Sequence, residues 1–259
     1  MITWNDFILF ALPALALWGT GAAVAIRRKG MSRLAFGLVA GGLTVFAVFI
    51  VLLWISLQRP PLRTLGETRL WYSLFLMLCG ALTYYRWHYR WVLALATVVT
   101  TVFVVMNIVK PELHDTALMP ALQSYWFVPH VTVYMFAYAV FGCALILAFA
   151  GWFGHTDEYL PTQDRLTCVG LAFLTFGMLS GALWAKEAWG FYWSWDPKET
   201  WAAVTWSVYL LDLHLRLGGR IRRGTALALL AVGFLCLQMC WYGVNYLPAA
   251  QSSLHVYSN

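Results

Sequence analysis

Between Trp189 and Trp201 the sequence reads WGFYWSWDPKETW, with four tryptophans, a tyrosine and a phenylalanine in thirteen residues. Such side chains present flat apolar faces, and Gly190 allows a close approach. Trp189, Trp193 and Trp195 would form an extended apolar shelf, with Trp184 just upstream. Scattered interfacial aromatics are the plainer use of Trp in a membrane protein, but a belt places single rings at helix ends instead of clustering them. Asp196, Pro197, Lys198 and Glu199 follow in the order of a capping box: Asp at the N-cap, Pro first in the helix, Glu third. These charges mark the start of a helix, and the aromatics before them make a surface.

The second chemically capable set is the histidines: His88, His114, His130, His155, His214 and His255. Which of them can act together depends on the elements that carry them. Only 11% of the 259 residues are charged and 61% are apolar, whereas a soluble domain carries roughly 25% charged residues. The chain is therefore expected to be an integral membrane protein. Its net charge of +6 needs no nucleic acid to explain it.

Eight apolar stretches approach the length of about 20 residues that a spanning helix needs. They lie near Phe7–Ile26, Leu34–Leu57, Leu70–Tyr85, Val92–Val109, Phe127–Phe153, Leu166–Trp184, Trp201–Leu217 and Thr225–Tyr246. The fold class expected is all-α, one polytopic membrane domain over 1–259. No basic residue precedes the first apolar run, so that run reads as a permanent span and not as a signal peptide.

Basic residues orient the spans. Arg27, Arg28, Lys29, Arg33, Arg86, Arg90, Arg165, Arg216, Arg220, Arg222 and Arg223 fall in the odd-to-even connections. Fewer fall in the others: Arg59, Arg63, Arg69, Lys110, Lys186 and Lys198. The positive-inside rule puts the first set in the cytoplasm. Both termini and the tryptophan segment between helices 6 and 7 then face outward.

On this topology His130, in WFVPHVTVY, and His255, in SSLHVYS, reach the outer surface from different helices, on the side of the tryptophan segment. Two imidazoles on either side of a flat apolar pocket are what a bis-histidine haem iron requires. Interfacial histidines solvated by lipid headgroups are the alternative. His114 is also outer, and His88 and His155 are inner. His214, in YLLDLHLR, lies towards the inner end of helix 7, where ionisable groups are costly and usually functional or paired. Asp212 is expected to pair with Arg216 one turn on, and His214 points about 160° away from Asp212 around the helix.

Five cysteines, Cys79, Cys143, Cys168, Cys236 and Cys240, all fall inside expected spans without CxxC or CxxCH spacing. They read as small buried residues and exclude a thiol relay or a c-type cytochrome.

WAKEAWGFYWSWDPKETWA, with LQSYWFVPHVTV upstream and YLLDLHLR downstream, resembles the tryptophan-rich WWD signature of the CcsA/ResC family of cytochrome c synthesis. The likeness covers about 122–255, a haem-handling core that includes the WWD segment 184–201. Two departures are the tyrosine at Tyr72, where an acidic residue is usual, and the lack of a glycine before His255. The resemblance implies one subunit of a holocytochrome c synthase in a bacterial inner membrane, or a thylakoid membrane if plastid-encoded. Its partners would be a CcsB/ResB-type membrane subunit, an apocytochrome c carrying CxxCH, and membrane lipid. Its ligand and substrate would be haem b. His130 and His255 would be outer axial ligands and His214 an inner one, with its counterpart on the partner subunit or His88. Trp184, Trp189, Trp193, Trp195 and Asp196 would line the outer site, with no acid or base assigned. A CcmC-type protein loading haem onto a chaperone, a membrane b-type electron-transfer cytochrome and a transporter with an aromatic gate are the alternatives.

Overall fold

A computed structural model describes residues 2–28, 30–110, 114, 120–154, 157–219, 223–248 and 253–254. Its regular structure is helical: α1 (Phe7–Arg27), α2 (Arg33–Leu57), α3 (Leu65–Trp87), α4 (Arg90–Val109), α5 (Phe127–Phe153), α6 (Leu160–Trp189), α7 (Pro197–Leu217) and α8 (Arg223–Trp241). The chain divides into two compact units, Met1–Ala117 and Leu118–Asn259. The second contains the segment expected to handle haem.

Among the described residues six helices are long and apolar enough to cross a membrane: α1 with the turn before it, α2, α4, α5, α6 and α8. The chain is a polytopic all-α membrane protein. α3 and α7 are less apolar because they carry Glu67, Arg69 and Arg86, and Lys198, Glu199, Asp212 and Arg216.

In the first unit α1 packs on α2 and α4, and α3 on α4 and α2. Small residues permit the approach: a methyl at Gly42 would sit 2.6 Å from the Trp18 ring. α3 starts earlier than Leu70 because Thr64 and Glu67 form a capping box. The buried Glu67 carboxylate also takes both arms of the Arg59 guanidinium at 2.9 Å. Trp4 stacks on His114 at 3.7 Å between ring centres.

In the second unit α5 packs on α6 and α8, and α7 on α8 and α6. Three α6 glycines, Gly170, Gly177 and Gly181, face the rings of Phe141, Tyr134 and His130 on α5. The spacing is seven then four residues along one helix and the mirror of that along the other. Antiparallel helices are thereby fixed in register by rings seated where side chains are missing. Phe141 stacks in turn on Tyr209 of α7 at 3.8 Å.

Other helix ends also depart from the apolar stretches. α6 runs to Trp189 and not Trp184, ending where Gly190 adopts φ +88° as a left-handed cap. α7 starts at Pro197, ahead of its apolar stretch and as the capping-box order implies: Asp196 caps Lys198 N and Glu199 reaches back to Asp196 N. α8 stops at Trp241, and a short tight turn occupies Gly243–Tyr246.

Two side-chain expectations also change. Arg216 bonds across to Asp164 of α6, at 2.6 Å through Nε, and not to Asp212. Asp212 is fully buried, and neither of its carboxylate oxygens has a hydrogen-bond partner among the described residues. Cys79, Cys143 and Cys240 are buried, but Cys168 is exposed on α6.

Candidate functional site

His130 sits in the first turn of α5, its backbone N–H donating to Trp126 O. Its Nδ1 lies 2.8 Å from the carbonyl oxygen of Gly177. A carbonyl only accepts, so Nδ1 carries a proton and donates it. That proton is held by a backbone acceptor, as is common for metal-binding imidazoles. The ring stacks on Trp184 at 5.3 Å and 28° and leans on Tyr134 at 4.7 Å. Gly181 provides the space: a Cβ there would lie 2.6 Å from two His130 ring atoms.

The tryptophans divide between helix and connection. Trp184 is buried, with its indole N–H donating to Ala121 O at 2.7 Å. Trp189, expected in the connection, stands on the last turn of α6, 4.9 Å from Trp184. Trp184 thus touches both His130 and Trp189. Trp193 and Trp195 lie in the connection, edge to face at 5.7 Å. Trp195 is 71% exposed and has φ +59°, an uncommon conformation for a bulky residue. It is held there from both sides. Glu199 accepts from Ser194 N at 2.8 Å and Asp196 N at 3.1 Å, and Thr200 donates to Trp195 O. Over-determined strain of this kind gathers at functional sites.

Asp196 is buried at the foot of this connection. One carboxylate oxygen accepts from Lys198 N and from Ser253 Oγ, both at 3.0 Å. The other accepts from Leu254 N at 2.7 Å. The buried carboxylate, expected among the residues lining the haem site, is thus directed to protein donors. Cys240 of α8 donates its thiol to Lys198 O at 3.4 Å, pinning the start of α7 to the end of α8.

His214 is exposed near the end of α7, with Nδ1 3.0 Å from Leu210 O. The same reasoning puts a proton on Nδ1, with the ring on the exposed surface of the helix. His88 belongs to the other unit, where it caps α3 with φ +63°. His255 and His155 lie outside the described residues.

The structure therefore brings together His130, Trp184 and Trp189, and braces Trp195 and Asp196 between Ser194 and Glu199. Reading the sequence missed Gly177, Gly181, Tyr134 and the Ser253–Leu254 pair. The glycines carried a signal, because 177 and 181 lie one turn apart on one face of α6. The pairing of Asp196 with residues 57 and 58 positions away has no local sequence signal.

A family model described as cytochrome C assembly protein matches residues 8–250. The chain is similar to a protein of Chlamydomonas reinhardtii named cytochrome c biogenesis protein CcsA, with 40% identity over 168 residues, 60% of this chain and 47% of that one. Over that alignment it spans about half the length of the relative. Proteins of the same name from Cuscuta exaltata and Nicotiana tomentosiformis are 33% and 31% identical, covering 74% and 81% of this chain and 75% and 80% of theirs.

Proposed function

The chain belongs to the cytochrome C assembly protein family, and from that premise we propose that it presents haem at the outer face of a membrane for covalent attachment to an apocytochrome c. The observation that carries the proposal is His130: an imidazole whose Nδ1 faces Gly177 O and whose ring stacks on Trp184, beside the tryptophan segment. A histidine serving only headgroups would not need a ring seated on a glycine and an indole.

In this reading haem is substrate. It lies against the tryptophan segment, with His130 on one face and His255 on the other, and axial imidazoles set the iron's redox behaviour. Trp184 holds His130, Trp189 extends the apolar wall, and Trp193 and exposed Trp195 face the incoming CxxCH segment. These side chains exclude water and fix the vinyl edge, a positioning contribution. Each cysteine S–H of the acceptor adds across one vinyl C=C, forming one C–S and one C–H bond with no net oxidation. The histidine of CxxCH then displaces one of the protein's imidazoles from iron.

Supply comes from the inner side. His214 stands on the exposed surface of α7, suited to a haem shared with a second histidine, which we assign to a CcsB/ResB-type partner subunit. All eight helices cross the membrane in this proposal, α3 and α7 being the charged ones inside the assembly. Both termini and the tryptophan segment face outward, in a bacterial inner membrane or a thylakoid membrane. The name carried by the relatives supports a biogenesis role over a b-type electron-transfer cytochrome.

The experiment is to purify the chain with its partner subunit, add haem and a CxxCH peptide under reducing conditions, and look for covalent haem on the peptide. Thioether product is expected. Haem passed to a chaperone with no product on the peptide would favour the CcmC-type alternative.

A further inference from the structure

One end of the first unit is strongly basic. Arg27 closes α1 and Arg28 follows it, Arg33 opens α2, Arg86 lies in the last turn of α3, and Arg90 opens α4. All five are exposed. Hydrogen bonds lace the α1–α2 and α3–α4 connections into one surface. The Arg90 guanidinium donates through Nη1 to Ile26 O at 3.2 Å and to Arg28 O at 3.3 Å. The hydroxyl of the buried Tyr84 accepts from Ser32 N at 2.7 Å and donates to Gly30 O at 3.4 Å.

The helices that carry this charge do not balance it. Within residues 1–110 the only acidic side chains are Asp6 and Glu67. Each stands at the start of a helix, α1 or α3, whose other end carries the arginines. A helix of that length, about 30 Å, keeps them away from the patch. Arg27 and Arg86 suit the negative end of a helix dipole. Arg33 and Arg90 sit at the positive ends of α2 and α4, where a cation is disfavoured and an anion favoured. Neither helix has an acidic residue in its first turn, and Tyr89 gives α4 no side-chain cap. Orientation by positive charge asks only for basic residues in these connections, not for guanidiniums at helix N-termini on connections tied to each other.

Beside the arginines the surface turns apolar. Leu34, Leu82 and Tyr85 are each more than half exposed, and Phe36 of α2 meets Tyr85 of α3 at 5.3 Å between ring centres. The Arg86 guanidinium lies over the Trp87 ring at 5.5 Å, and Tyr89 stacks on Trp91. Rings of this kind belong at headgroup level. The matching ligand is an anion with long apolar chains.

We propose that this end of the first unit binds an acidic glycerophospholipid. Arg33, Arg86 and Arg90 take the headgroup phosphate, and the acyl chains lie along Leu34, Leu82 and Tyr85. Arginine suits the task because its planar fork pairs with two phosphate oxygens at once. In the topology proposed above, the lipid belongs to the inner leaflet. The site makes no use of haem or of the outer histidines.

The test titrates the full chain, purified in detergent, with dioleoyl phosphatidylglycerol and counts bound lipid by native mass spectrometry. Dioleoyl phosphatidylcholine, with the same chains and phosphate but no net charge, is the comparison. Phosphatidylglycerol should bind the wild-type chain more tightly and raise its unfolding temperature, and equal binding of the two lipids would overturn the proposal whatever the variants do. Arg33→Gln/Arg86→Gln should weaken phosphatidylglycerol binding about tenfold or more, the scale of two basic residues at an anionic surface. Arg165→Gln, exposed on α6 in the other unit, should leave it unchanged. Unchanged affinity in the double variant, or an equal loss with Arg165→Gln, would overturn the site. Displacement of the lipid by millimolar inorganic phosphate would make the patch a free-anion site, and displacement by haem would assign it to haem's carboxylates; either result would overturn the lipid.

Discussion

The Nδ1 of His130 faces the carbonyl oxygen of Gly177 at 2.8 Å, on the helix whose Gly181 leaves room for the imidazole ring. One face of α6 thus decides both the proton on Nδ1 and the placement of the ring on α5. Ser180 Oγ donates to the same carbonyl at 3.1 Å.

Crowding that face should displace the ring. In Gly181→Ala the new methyl would lie 2.6 Å from two His130 ring atoms, and overpacking of this kind costs about 1–3 kcal/mol. Bound outer haem is expected to fall, with the protein still folded. Gly37→Ala, where no atom lies within 4 Å of the added methyl, is the control and should stabilise α2 by up to about 1 kcal/mol. Thermal unfolding and haem content, read side by side, check both. Equal haem in the two variants would argue against the seat.

Trp189→Ala and Trp193→Ala should each lower haem retained at the outer site more than Trp54→Ala does. Trp54 is an exposed indole on α2, in the other unit. Gel filtration with haem absorbance gives the comparison, and equal losses for all three would support a general aromatic belt.

Much of this was legible in the residues themselves. The capping box at Asp196–Glu199 could be read because its spacing is local, and so could the helical nature of every apolar stretch. Hydropathy falls at Lys186 and Glu187 and so places the end of α6 too early, because membrane depth and helix length are separate matters. The helix continues until Gly190 takes the left-handed cap. Arg216 was expected to pair with Asp212, its neighbour on the same helix, and instead bonds Asp164 of α6 at 2.6 Å. Tertiary pairing outcompeted the local one, and nothing within α7 could reveal it. The Asp196–Leu254 bond is of the same long-range kind.

For the inner site, His214→Gly should reduce total haem in the complex and starve the outer site, while haem supplied from outside restores outer-site occupancy. His88→Gly, at an exposed cap of α3, should leave haem content unchanged. Haem quantified in both variants distinguishes the two histidines. Loss with His88→Gly alone would transfer the role to His88, and loss with both would place both ligands within this chain.

The central claim is that His130 ligates the haem held at the outer tryptophan segment. Its most direct measurement is the absorption spectrum of the purified complex with His130→Gly, before and after adding imidazole. The account predicts that the six-coordinate low-spin signal of the outer haem is lost in the variant and returns in part when imidazole fills the vacated position. A wild-type spectrum in His130→Gly without imidazole would contradict it.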